Sequence, residues 1–149
     1  MKKNEISKEL EPLQVFIGNW KVEGSNLSTA PENPETPFIG THKVKLMEGG
    51  KFIKAIWKYD YDKTDKHYGI SIIGQEQDTK KIQCNNFDNI GFHRIYDSSI
   101  DGQTWKLSGK SERATIEFGK NGQSYKEFWE INTNGIWQLL CERKGVKDS

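Results

Sequence analysis

The chain has 149 residues, 34% of them apolar and 29% charged, with a formal net charge of +1 and a mean hydropathy of −0.82. That hydropathy is very polar, but the small net charge and the five Trp, five Tyr and seven Phe exclude a disordered polyelectrolyte. No apolar run approaches the roughly 20 residues that span a bilayer. The Lys- and Glu-rich start lacks the apolar stretch of a signal peptide, two cysteines build no disulfide framework, and the lysines are scattered along the sequence.

These exclusions set the first expectations: a cytoplasmic protein of one domain (1–149), with no membrane and no nucleic-acid partner. Ile6, Leu10, Leu13 and Ile17, spaced by four, three and four, predict one apolar face of a short helix over about 5–17. Pro12 ends or bends it unless it lies in the first turn. From Gly18 the helical period vanishes. Short β-rich runs follow, separated by turn residues at Glu48-Gly49-Gly50, Asp78-Thr79-Lys80, Asp101-Gly102, Asn121-Gly122 and Asn134-Gly135. This is the pattern of an antiparallel meander of about ten strands over about 18–145. Thr29 to Pro37 carries three of the four prolines and reads as the one long loop.

The turns fix register. A Gly49-Gly50 turn sets Leu46 against Ile53, Val44 against Ala55 and His42 against Trp57, with Lys45 facing Lys54 outside as its weak point. An Asp101-Gly102 turn sets Tyr96 against Leu107, with Asp97 and Lys106 outside. A Lys110-Ser111 turn sets Trp105 against Ile116 and Leu107 against Ala114. A type I′ turn at Asn121-Gly122 sets Phe118 against Tyr125, Ile116 against Glu127 and Ala114 against Trp129. The opposite face then pairs Glu117 with Lys126 and Arg113 with Glu130, both of opposite charge, making Arg113 half of a surface pair. For the last hairpin, a three-residue Thr133-Asn134-Gly135 loop sets Trp129 against Leu139, Tyr125 against Arg143 and Lys126 against Glu142. A two-residue Asn134-Gly135 turn would oppose Glu127 to Glu142 and is rejected on that ground. The strands near 67–77 and 82–89 give no firm register.

One face therefore runs through five strands and carries Phe92, Arg94, Tyr96, Trp105, Leu107, Ala114, Ile116, Phe118, Tyr125, Glu127, Trp129, Ile131, Trp137, Leu139, Cys141 and Arg143. A meander this long must protect its edges, and closure does so completely. The predicted fold is an all-β, antiparallel up-and-down barrel of about eight to ten strands with a short N-terminal helix. Such a barrel has room for its own side chains or one small ligand.

Gly18-Asn19-Trp20 opens the first strand just after a short helix, and Arg143 stands near the end of the last. A Gly-x-Trp on the first strand and an Arg on the last resemble the closure signature of lipocalins and their calycin relatives. The resemblance implies that Trp20 plugs one end of the barrel, that Arg143 packs across it, and that the long loop after the first strand is a lid. Length and the late Asn134-Gly135-Ile136-Trp137 look most like uncharacterised bacterial lipocalin-like proteins. Nitrobindin-type haem barrels carry Gly-x-Trp-x-Gly-x-Gly and a late axial His. Here Val22 replaces the middle Gly and no His follows His93, so no haem or other cofactor is expected. Fatty-acid-binding proteins hold a carboxylate with an interior Arg-x-Tyr near the C-terminus; here Arg143-Lys144-Gly145 lacks the Tyr, and Arg94-Ile95-Tyr96 has the spacing only mid-chain.

Polar groups on an inward face are informative because burying them without partners is costly. Arg94 with Tyr96 is the candidate anion anchor, the guanidinium and the phenol both offering donors to a carboxylate. The bland alternative for Arg94 is an internal salt bridge or a solvated mouth. Glu127 is either an acceptor in a cavity or the partner of Arg143, which in that case also covers Trp20. His42, Tyr59 and Tyr125 join the candidate ligand-binding set with Trp57, Trp105 and Trp129, which equally suffice as core rings. No metal site is expected, since His42, His67 and His93 share no close spacing and no Cys-x-x-Cys occurs. The leading expectation is a barrel that binds a small apolar or amphipathic molecule, which the Arg94–Tyr96 pair would suit to an anionic end. Two alternatives stand beside it. One is a small enzyme using His42 or Glu127 in acid–base chemistry. The other is a ligand-free scaffold, a homodimer through outward Phe128 and Leu140.

Overall fold

The computed structural model describes residues 5–27, 35–61 and 66–148. Its first element is a 3-10 helix, Lys8–Phe16, which buries Leu10, Leu13 and Phe16. The buried face thus repeats every three residues, not at the four-three-four spacing predicted for an α-helix. The reason lies in Pro12, which sits inside the helix without an N–H. The bonds at both ends are of the i→i+3 kind: Leu10 N–H donates to Ser7 O (3.0 Å) and Ile17 N–H to Gln14 O (3.1 Å). Ile6 and Ile17 are only partly buried, and Phe16 takes the inward place.

Ten strands follow: β1 (Gly18–Asn26), β2 (Thr36–Leu46), β3 (Phe52–Asp60), β4 (Lys66–Gln75), β5 (Ile82–Asp88), β6 (His93–Asp101), β7 (Thr104–Ser108), β8 (Glu112–Phe118), β9 (Ser124–Thr133) and β10 (Ile136–Lys147). They form a closed antiparallel barrel in chain order, with β1 paired to both β2 and β10. Closure gives each described strand a neighbour on both sides. Of the long loop expected at Thr29 to Pro37, residues 29–34 lie outside the described residues, whereas Thr36 and Pro37 already pair in β2 with Asn26 and Ser25. No helix among the described residues is long and apolar enough to cross a membrane.

The registers of β2–β3, β7–β8 and β8–β9 are those the turns predict, including His42 against Trp57, Ile116 against Glu127 and Lys45 against Lys54. Two hairpins differ. Between β6 and β7 the turn is Gly102-Gln103, so Ser98 faces Leu107 and Ile100 faces Trp105, not Tyr96 against Leu107. Gly102, with φ +61°, occupies the first central position, as a type II′ hairpin requires. The slip is of two residues, so inward side chains stay inward.

The last hairpin does use the rejected two-residue turn, with Asn134 at φ +53° and Gly135 at φ +83°. The clash of Glu127 with Glu142 is avoided by a bulge between Leu139 and Cys141, after which Arg143 faces Glu127 and Glu142 faces Phe128. Leu140 is the extra residue. This corrects four placements. Trp137, opposite Asn132, lies on the outer surface, where the Arg113 guanidinium sits 3.9 Å from its ring centre. Leu139 opposes outward Glu130. Leu140 turns inward to the barrel cavity, so it does not meet Phe128 outside and the dimer expected from that pair loses its basis. Arg143 opposes Glu127, not Tyr125.

Four large inward rings lie directly against a glycine of the neighbouring strand: Phe38 on Gly24, Tyr59 on Gly40, Trp57 on Gly69 and Tyr125 on Gly145. A chain poor in aliphatics thereby packs its interior with rings set against bare backbone. The helix closes one end of the barrel with a cluster in which the Phe16 ring lies 5.3 to 6.3 Å from those of Trp20, Trp105, Phe118 and Tyr125.

Candidate functional site

Above this plug, side chains of the barrel wall enclose a cavity of about 260 Å³. Phe16 belongs to its floor, and Trp57, Trp105, Trp129 and Tyr96 supply ring surface to its wall. His42 is buried on β2. Its Nε2 is hydrogen-bonded with the Tyr59 hydroxyl, and its Nδ1 with that of Tyr125 at 3.2 Å. Burial, assisted by the charge of Arg143, lowers the His42 pKa to about 3, so the ring is neutral at physiological pH. Burial likewise raises the pKa of Tyr59.

The chain of contacts continues along β10 and β9. Arg143 Nη1 donates to the Tyr59 hydroxyl (2.8 Å) and to Glu127 Oε2 (2.9 Å), which also accepts from Trp129 Nε1. The Arg143 guanidinium lies 4.4 Å from the Tyr59 ring centre. Its Nε is buried and has no hydrogen-bond partner among the described residues. A continuous polar path thus connects Tyr125, His42, Tyr59, Arg143, Glu127 and Trp129 through the interior.

At the opposite end of the cavity stands a second cluster. Arg94 Nε lies 3.4 Å from Glu112 Oε1, its Nη1 lies 4.0 Å from Asp88 Oδ2, and its guanidinium stacks 4.2 Å from the Phe92 ring. The Tyr96 hydroxyl donates to Glu112 Oε1 (3.3 Å). Asp88 Oδ1 accepts from the backbone N–H groups of Ile90, Gly91 and Phe92, each at 3.0 Å, while Oδ2 meets His67 Nε2 at 3.1 Å. Burial raises the Asp88 carboxyl, but these donors outweigh it and hold it below the ordinary carboxylate range.

Of the residues singled out in the sequence, His42, Trp57, Tyr59, Arg94, Tyr96, Trp105, Glu127 and Trp129 line this one cavity. Tyr125 does not reach it and packs behind His42 against Trp20. Arg143 does not cover Trp20: it faces the cavity, and the group over the Trp20 ring is Lys147 Nζ, 5.0 Å from its centre. Trp20 itself is 1% exposed at the plugged end and donates to Phe16 O (2.8 Å). Sequence reasoning missed His67, Ser71, Asp88 and Glu112, all of which line the cavity. The alternation of His67, Gly69, Ser71 and Ile73 across β4, with Gly69 opposite Trp57, is the signal that could have found the first two. Cys84 and Cys141 are both buried and free, and burial pushes the Cys84 thiol up to about 12, which leaves it un-ionised and a poor nucleophile. Among the described residues no group of three or more His, Cys, Asp or Glu is arranged to hold a metal ion.

The model of a family described as "Protein of unknown function (DUF1579)" matches residues 5–145. The chain belongs to that family. The DUF1579 barrel resembles the crystal structure of Rv2717c from M. tuberculosis, at a TM-score of 0.72 and 10% identity, over 97% of this chain and 100% of the other. It also resembles the S-type phycobiliprotein lyase CPES from Guillardia theta, at a TM-score of 0.63 and 15% identity, over 96% of this chain and 94% of that one. At such identities the likeness is one of fold alone, and it agrees with the closed antiparallel barrel expected from the turns. No curated protein matches this DUF1579 sequence significantly.

Proposed function

We propose that this DUF1579 barrel binds one small apolar or amphipathic molecule in its cavity. The observation that carries the reading is a cavity of about 260 Å³ whose wall combines Trp and Tyr rings with a few convergent polar groups. Rings give contact area to the apolar part, and Tyr59 and Arg143 meet a polar end.

The charge of that polar end follows from how the arginines are engaged. Arg143 is paired with Glu127, and Arg94 with Glu112 and Asp88. An anionic ligand would have to displace a carboxylate from one of them, which makes an uncharged hydrogen-bonding end the favoured form and weakens Arg94 with Tyr96 as an anion anchor. Acid–base catalysis by His42 has less support, because both ring nitrogens are already bonded to tyrosine hydroxyls.

Native mass spectrometry of freshly purified protein is expected to reveal a co-purifying small molecule. Titration with 1-octanol is expected to change the emission of the cavity tryptophans, with octanoate binding more weakly. Ala55, buried in the cavity wall, provides the control. Ala55→Leu should abolish the response while the protein stays folded by circular dichroism. Absence of both a co-purified mass and an alcohol response, or an unaltered response in a folded Ala55→Leu variant, would sink the reading.

A further inference from the structure

The outer surface of β2–β6 differs from the rest of the barrel. Three rows of outward side chains cross it in register: Lys43, Ile56, Ile70, Phe87 and His93; Lys45, Lys54, Ile72, Asn85 and Ile95; and Thr41, Lys58 and Tyr68. Ile56, Ile70, Phe87, Ile95 and Tyr68 are each 36–51% exposed. The rows contain four lysines and no carboxylate, and none of the four makes an ion pair with a described residue. Of the described acidic groups that border them, Asp60 lies 4.0 Å from Lys66 and Asp97 lies 3.7 Å from Lys81. By contrast, on β9 and β10 outward Lys126 faces Lys144, not Glu142 as the turn would have it, but Glu117 and Glu23 flank that pair in the same row.

Lys45 directly opposite Lys54 is destabilising in an isolated barrel. An apolar ladder of this size on an exposed sheet is also uncommon for a surface that touches only water. Both features make sense if the face meets an apolar layer edged by negative charge. We propose that the β2–β6 face rests on an anionic phospholipid surface.

Charge selects this occupant over a second copy of the chain, because a two-fold contact would set lysines against lysines. In the three rows the cations are all lysines, point charges without the bidentate fork suited to defined carboxylates on a protein. The aromatic Tyr68 and Phe87 suit the boundary between headgroups and acyl chains. The face also runs to the cavity: Tyr68 adjoins His67, and Phe87 adjoins Asp88, whose turn presents cavity-lining Phe92. Docking would therefore bring the cavity rim to the layer from which an amphipathic ligand partitions, a role that rests on the binding reading, whereas the docking itself does not. The expectation of no membrane partner comes from the lack of a spanning run, and the scatter of lysines along the chain speaks only against nucleic acid. Folding gathers four of those lysines on one face.

Co-sedimentation with phosphatidylserine–phosphatidylcholine vesicles tests it. Binding is expected at low salt, is lost at high salt, and is absent with pure phosphatidylcholine. The pair Lys54→Gln and Lys58→Gln should weaken binding on the order of thirtyfold. Ile70→Ser with Phe87→Ser should abolish it, while Lys126→Gln with Lys144→Gln, on the opposite face, should leave it unchanged. Both lysine pairs sit on the surface, so thermal unfolding should show all charge variants folded. Ala55→Leu, which fills the cavity, should bind vesicles as the unaltered protein does, so failure of ligand binding and failure of docking are separable. No binding to anionic vesicles at low salt, equal binding by Lys54→Gln/Lys58→Gln, or capture of polyglutamate without vesicle binding would overturn the proposal, the last in favour of an acidic protein partner.

Discussion

Arg143 and Glu127 face each other inside the barrel with side-chain exposures of 16% and 8%. Their attraction is offset by the desolvation of both, so the pair adds little net stability, but either one left alone would be a buried uncompensated charge. Arg143→Met is accordingly expected to cost about 3–5 kcal/mol in urea unfolding, and adding Glu127→Leu to recover most of that loss. His42 makes a second prediction at this scale. Its folded pKa of about 3 lies below the ordinary value of 6.5, so between those pH values the unfolded chain takes up a proton that the folded protein refuses. Stability should therefore fall as the medium is acidified below about 6.5, by up to roughly 1.4 kcal/mol per pH unit. Comparison of unfolding curves between pH 6.5 and 5 should show that share of the slope missing in His42→Gln. The sequence made His42, Glu127 and Arg143 visible as polar residues on an apolar face. Tyr59 stood in the same set, but its bond with Arg143 was not legible, because it spans residues 84 positions apart.

At the scale of the strand, rings and glycines work as units. A Cβ at position 145 would overlap the Tyr125 ring, and Tyr125 is held by Trp20, Phe118 and His42 and has nowhere to turn. Gly145→Ala is expected to cost about 1–3 kcal/mol by chemical denaturation. Gly135→Ala, at a turn with φ +83° and open space around it, should act through backbone strain alone. Most hairpins were legible because turn residues and opposite charges agree on one register. The helix departs from the expected period because Pro12 converts a four-residue repeat into a three-residue one. The β9–β10 hairpin departs from the expected register because a bulge further along, not the turn, relieves the charge repulsion. Strands β4 and β5 gave no register because their outward sides are as apolar as their inward ones, which erases the alternation on which such a reading depends.

For the whole molecule, closure was legible and content was not. Ten strands with aromatic-rich inner faces must curl, but whether the rings meet or leave room depends on volumes that the order of residues does not disclose. The same limit applied outside. Lysines far apart in sequence became neighbours only once β2 and β3 paired. The barrel is sealed by β10 meeting β1, with Arg143 opposite Gly24 and Gly145 opposite Val22, so the phase of that last strand decides which of its side chains enter. The bulge at Leu140 bears on how the chain tolerates insertions and deletions. It holds one spare residue. Loss of any single residue from Ile136 to Leu140 could be absorbed by straightening the bulge, leaving Cys141 to Val146 in place against β9 and β1. Loss of a single residue beyond Cys141 has no such reserve. It would turn part of the closing strand inside out, sending Arg143 to the surface or a lysine into the core. Length variation within the family should therefore gather between the last turn and the bulge, and stop abruptly after it.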